Sequence, residues 1–126
     1  MSYDITIAAD ESFSRSVPFE PLRDFISRLA NVHPNGDRGL VLREGNRLWM
    51  EIDLEAVSED GDTLDDGLTS PTVNCIRLHV PYAYLGDPPR DEYFTTAVAI
   101  AQHAGWRAID EQTGELLRKK PWWKFW

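Results

Sequence analysis

The chain has 126 residues, of which 42% are hydrophobic, 27% charged and 11% aromatic, and its formal net charge is −8. That apolar and aromatic content excludes global disorder, and the length fits one domain. The acidic balance excludes general nucleic-acid binding, which needs clustered Lys and Arg, and a lone Cys75 excludes an internal disulfide.

From the start, Tyr3, Ile5 and Ile7 alternate with Asp4, Thr6 and Ala8, the period of a strand with one buried face. A polar stretch over 10–16 follows. Pro21 suits the first position of a helix, with Leu22, Phe25, Ile26 and Leu29 at helical spacing. His33-Pro34-Asn35-Gly36 is expected to stop that helix and form a loop.

Residues 39–43 and 47–55 are apolar segments joined by Glu44-Gly45-Asn46, which predicts a hairpin. In the second arm Leu48, Met50, Ile52 and Leu54 face one side, and Trp49, Glu51, Asp53 and Glu55 the other. Residues 56–72 are rich in Ser, Asp, Gly, Thr and Pro and predict a long, exposed loop, uncommon enough in a small domain to be a functional suspect. The chain returns as a strand over 74–82, where Ile76, Leu78 and Val80 alternate with Cys75, Arg77 and His79. A second helix is expected from about Asp91, which would cap it, with Phe94, Ala97, Val98 and Ala101 inward and Gly105 as its left-handed stop. A short strand over 106–110 and a turn at Gln112-Thr113-Gly114 lead to a basic-aromatic tail.

The expected fold is α+β: a mostly antiparallel sheet with two helices on one face, a ferredoxin-like plan. Residues 1–118 make the single domain and 119–126 the tail. No apolar run is long enough to span a bilayer, and the first residues lack a basic segment followed by an apolar one. With a single cysteine, these features lead us to expect a cytoplasmic protein.

The charge is lopsided. Of 21 acids and 13 bases, no Lys or Arg falls between Arg47 and Arg77, whereas Glu51, Asp53, Glu55, Glu59, Asp60, Asp62, Asp65 and Asp66 all do. Without those eight acids the chain would be neutral. Clustered like charge costs stability and steers basic partners inward. The run from Asp60 does not follow a calcium-binding loop, because Leu64 falls at a ligand position and Asp65 where Gly is required. Its plain alternative is a solvated loop that serves solubility.

The tail places Trp122, Trp123, Phe125 and Trp126 beside Arg118, Lys119, Lys120 and Lys124. Large aromatics gain about 1.5–3 kcal/mol each on full burial. They are expected to fold back on the domain, to join two copies as a homodimer, or to rest on a membrane surface. The third candidate is the sheet face carrying Arg77 and His79, as a small enzyme or ligand site. Arg77 is expected to pair across strands with Glu51 or Asp53. Cys75 and His79 stand about 13 Å apart along a strand, too far for a nucleophile and its base. His33, His79, His103 and Cys75 have no zinc-ligand spacing, and both His33 and His103 have adequate structural explanations. The sequence assigns no catalytic residue, metal or cofactor.

Residues 99–116 run Ala-Ile-Ala-Gln-His-Ala-Gly-Trp-Arg-Ala-Ile-Asp-Glu-Gln-Thr-Gly-Glu-Leu. This segment resembles the end of many small bacterial α+β proteins, in which a helix stops at Gly-Trp, a short strand follows and Asp-x-Gln-Thr-Gly makes a turn. Some of those proteins resemble immunity proteins that neutralise secreted toxins. The resemblance implies structural roles: Gly105 as helix stop, Trp106 as a core plug, and Asp110 with Thr113-Gly114 as turn formers. The expected function is non-enzymatic protein binding, of immunity or inhibitor type, with a basic protein partner. Trp49, Glu51, Asp53, Glu59, Asp60, Asp62, Asp65 and Asp66 would meet that partner. Self-association through the aromatic tail is the alternative.

Overall fold

The computed structural model describes residues 2–36, 38–64, 70–84, 90–114 and 116–117. The strands are β1 (Ser2–Ala8), β2 (Val17–Pro18), β3 (Val32–Asn35), β4 (Gly39–Glu44), β5 (Leu48–Glu55), β6 (Thr72–Val73), β7 (Cys75–Pro81), β8 (Arg107–Asp110) and β9 (Leu116–Leu117). The helices are α1 (Phe19–Ser27) and α2 (Arg90–Ala104). Seven strands form one antiparallel sheet in the order β3-β4-β5-β7-β1-β8-β9, and β2 pairs with β6 beside it. The fold is α+β, and its strand order is compatible with the ferredoxin-like plan.

Register follows from the alternation of side chains. Ile5 stands opposite Leu78, which stands opposite Ile52, which stands opposite Leu40. A period of two then carries Tyr3, Ile7, Ile76, Val80, Met50, Leu54 and Leu42 to the same side. All are buried, and Leu22 and Ile26 of α1 join them with Tyr93, Ala97, Ile100 and Ala101 of α2 in one core. Both helices therefore cover the inner face of the sheet. The other side of β1, β5 and β7 is left with Asp4, Thr6, Trp49, Glu51, Asp53, Glu55, Arg77 and His79.

The first helix is shorter than its apolar spacing predicts. It ends at Ser27, and its last turn tightens through Arg28 N–H to Phe25 O and Leu29 N–H to Ile26 O. Leu29 still packs on the core, from the turn that follows. Asn31 then takes a left-handed backbone, φ 64°, and its side chain donates to Glu44 Oε2 at 3.0 Å. This reverses the chain, so that Val32–Asn35 becomes the edge strand β3 rather than the expected loop. Pro34, which lacks an N–H, is tolerated because β3 has a neighbour on one side only. Gly39 closes the β3–β4 turn: a Cβ there would lie 2.6 Å from the Asn35 carbonyl oxygen.

The second helix ends as expected. Gly105 has φ 73°, its N–H reaches Gln102 O, and Trp106 N–H reaches Ala101 O, the paired bonds of a Schellman stop. Its buried stripe is Tyr93, Ala97, Ile100 and Ala101, whereas Phe94 and Val98 are only half-buried. Capping by the Asp91 side chain falls outside what is described. Trp106 is half-buried at the core margin and is not the expected plug. Asp110 is the buried polar residue of this region: it accepts from the Tyr3 hydroxyl, from Gln112 N–H at 2.8 Å and from Thr113 N–H at 3.3 Å. Among the described residues, no helix is long and apolar enough to cross a membrane.

Candidate functional site

The outer face is built by three adjacent strands. Glu51 faces His79, Asp53 faces Arg77 and Glu55 faces Cys75 across β5 and β7. Asp4 and Thr6 of β1 face His79 and Arg77 from the other side. The sequence pattern groups β5 with β7. The missing partner was signalled by the polar alternation of Asp4 and Thr6 in β1, but only the β1–β7 register adds those residues to the face.

Pairing within the face is partial. Arg77 does not bridge to Glu51 or Asp53. Its Nε lies 2.9 Å from Glu55 Oε2, and Nη2 donates to the Gly61 carbonyl. The cause is the chain after β5, which folds back and offers that carbonyl. His79 Nδ1 lies 2.8 Å from Asp4 Oδ1, with both side chains well exposed. Cys75 is fully buried, and burial pushes its thiol up against the pull of Arg77, so it is held as a thiol rather than a thiolate. Arg77 stands between Cys75 and His79 in the strand, so His79 is not placed as a base for the thiol. His33 lies on the exposed edge strand, and His103 stacks on Phe25 with ring centroids 3.7 Å apart, so neither joins His79.

The acidic segment is more ordered at its start than its composition implies. Ala56 and Val57 are buried, and Val57 bridges to Thr63. Ser58 N–H reaches Asp62 O at 2.8 Å, and Gly61 N–H reaches Ser58 O at 2.9 Å. Gly61, with φ 89°, passes close to Phe13: a Cβ on it would lie 3.3 Å from that ring. Asn74 locks the base of this turn, accepting from Val57 N–H at 2.8 Å and donating to Val57 O at 2.9 Å and Phe13 O at 3.3 Å. Thr63 Oγ1 donates to Glu55 Oε1 at 2.9 Å. The expected long exposed loop is thus, over 56–63, a tight turn with a buried root. Glu59, Asp60 and Asp62 are exposed on it.

Among the described residues, Glu55 is ion-paired, while Glu51, Asp53, Glu59, Asp60 and Asp62 have no ion pair. Asp65 and Asp66 lie outside the described residues, as do Trp122, Trp123, Phe125 and Trp126. Asp53 bears the consequence. Partial burial against the sheet pushes its carboxyl above the usual aspartate range, the charges of Glu55 and Glu51 add to this, and His79 and Arg77 offset only part of it. Among the described residues, no three His, Cys, Asp or Glu side chains are arranged to hold a metal ion.

Trp49 stands half-buried at the start of β5, on the same face. Its backbone N–H donates to the Tyr93 hydroxyl at 3.1 Å, and its ring lies 6.4 Å from that of Tyr84. Tyr93 in turn donates to Tyr84 O at 2.6 Å, so α2 anchors the aromatic end of the face. The inward stripe expected for α2, Phe94, Ala97, Val98 and Ala101, omits Tyr93 and so gives no sign of this link. The face therefore runs from an aromatic pair, across two unpaired carboxylates, to an acidic turn. No family model, curated protein or solved structure matches the chain.

Proposed function

We propose that this protein is a non-enzymatic binding module, of immunity or inhibitor type, whose acidic sheet face and turn receive a basic protein. The observation that carries the reading is the charge left unmatched on one side of the molecule. Glu51 and Asp53 lie on the face and Glu59, Asp60 and Asp62 on the turn beside it, none in an ion pair among the described residues. Two further points support it. The carboxylates stand on a rigid sheet and a hydrogen-bonded turn, so little ordering entropy is spent on binding. Trp49 and Tyr84 adjoin them, and aromatic anchors beside charge are the usual energetic centre of an interface.

Burial raises the Asp53 carboxyl first, and the charges of Glu55 and Glu51 add to it; basic side chains from a partner would offset both. The test is affinity capture from the source cells with intact protein and with a variant carrying Glu51→Gln, Asp53→Asn, Glu59→Gln, Asp60→Asn and Asp62→Asn. Recovery of one basic protein by the intact chain, reduced at least tenfold with the variant, is the expected result. Equal recovery by both chains refutes the assignment of this face.

A further inference from the structure

His79 lies among the carboxylates of the proposed interface. β1 presents Asp4 opposite it, with Oδ1 2.8 Å from the His79 Nδ1. β5 presents Glu51 opposite it on the other side, with Asp53 next along the same strand face. On β7 itself Arg77 precedes it by two residues, but that guanidinium is engaged by Glu55 and by the Gly61 carbonyl. Glu111, whose N–H reaches Asp4 O at 3.0 Å, follows β8 on the far side of β1. His33 is further off, on β3, with Val41 of β4 between it and Glu51. His79 is thus the basic group directly opposite both Asp4 and Glu51. Histidine is the side chain whose charge ordinarily changes between about pH 5 and 8.

We infer that protonation of His79 sets how strongly the acidic face receives a basic partner: weakly when the ring is charged, strongly when it is neutral. The inference rests on the reading of that face as the binding surface. The geometry lets the charge change without a change of shape. An ionised carboxylate only accepts, so the contact with Asp4 keeps a proton on Nδ1 in both states of the ring. The second proton enters or leaves at Nε2, and the side chain is 42% exposed to the solvent that supplies it. When present, that proton places a positive charge beside Asp4 and Glu51, where it competes with a partner's lysine or arginine for the same carboxylates. A like charge about 6 Å away in water costs a partner cation about a threefold loss in affinity.

The test is calorimetric titration of the full chain with a decalysine peptide at about pH 5.5 and about pH 8, which span the histidine range. The ammonium groups of the peptide stay charged at both values. The intact chain is expected to bind about threefold more tightly, or better, at the higher pH. His79→Gln, whose side chain stays neutral, should bind at both values as tightly as the intact chain does at the higher one. His79→Lys, charged at both, should bind as weakly as the intact chain does at the lower one. An intact chain indifferent to pH overturns the inference while leaving the face standing. A His79→Gln variant that keeps the intact chain's ratio does the same. If the variant neutralised at Glu51, Asp53, Glu59, Asp60 and Asp62 binds as tightly as the intact chain, or if nothing binds at the higher pH, the face itself fails and the regulation falls with it.

Discussion

Asp53 stands at the middle of the outer face with Glu51 and Glu55 on the same strand. Its carboxyl is held above the ordinary aspartate value by partial burial first, and by those two neighbours next. The sign of the effect on stability follows. A carboxyl whose folded-state pKa exceeds its unfolded value costs stability when ionised, and the cost vanishes once both states are protonated. Asp53→Asn is therefore expected to raise the urea midpoint at pH 7, with the gain fading to nothing below about pH 3.9. A lower midpoint at pH 7 would mean that His79 and Arg77 outweigh the burial and the two glutamates. At the same scale the sequence made most of this face legible, because alternation in β5 and β7 alone separates Glu51, Asp53, Arg77 and His79 from the core. It did not assign Arg77 to Glu55. That choice depends on the Gly61 carbonyl, which reaches the guanidinium only after residues 56–63 have folded back.

Among the elements, Arg38 does what no strand pairing does. Its Nε donates to Leu54 O at 3.0 Å, Nη1 to Ser70 O and Nη2 to Thr72 O at 3.2 Å, while the guanidinium covers the Phe19 ring at 4.3 Å. One side chain thus ties the end of β5 to the approach to β6 and to the start of α1. Nothing in the local sequence marks it, since its partners are backbone carbonyls 16 to 34 residues away. Arg38→Met keeps an unbranched side chain but removes the donors, leaving those carbonyls to find water. An expected loss of ~2–3 kcal/mol follows from net hydrogen-bond values of ~0.5–1.5 kcal/mol each. Chemical denaturation checks it; a loss below ~0.5 kcal/mol would show that solvent replaces the donors freely. The edge strand β3 teaches the same lesson in reverse. A His-Pro-Asn-Gly run carries every local signal of a loop, yet Val32 and the Asn31 reversal place it against β4.

For the molecule as a whole, charge and topology act together. Of the acids concentrated between Arg47 and Arg77, Glu51, Asp53 and Glu55 fall on one sheet face and Glu59, Asp60 and Asp62 on one turn, because β5 ends where the turn begins. The screening length is about 10 Å at 0.1 M salt and about 3 Å at 1 M. Raising NaCl from 0.1 to 1 M is therefore expected to stabilise the free protein, by weakening its internal repulsion. The same change is expected to slow association with a basic partner by tenfold or more. Thermal melts and stopped-flow binding measure the two arms. A melting temperature that falls with salt would mean that attractive pairs such as Arg47 with Glu92 and Glu44 dominate the charge balance.

The amino-acid sequence by itself determined the α+β class, the inward and outward sides of β1, β5 and β7, the stop of α2 at Gly105 and the location of the surplus charge. Each is written in a period of two, a local turn residue or a count along the chain. Only the tertiary structure decided that β1 lies between β7 and β8, which brings Asp4 to His79, and that the acidic turn folds back to claim Arg77. It likewise decided that Arg38 and Asp110 serve as staples. Those outcomes depend on which distant backbone groups arrive within hydrogen-bonding distance, and a contact between residues 107 positions apart, as for Tyr3 and Asp110, leaves no local trace in the chain.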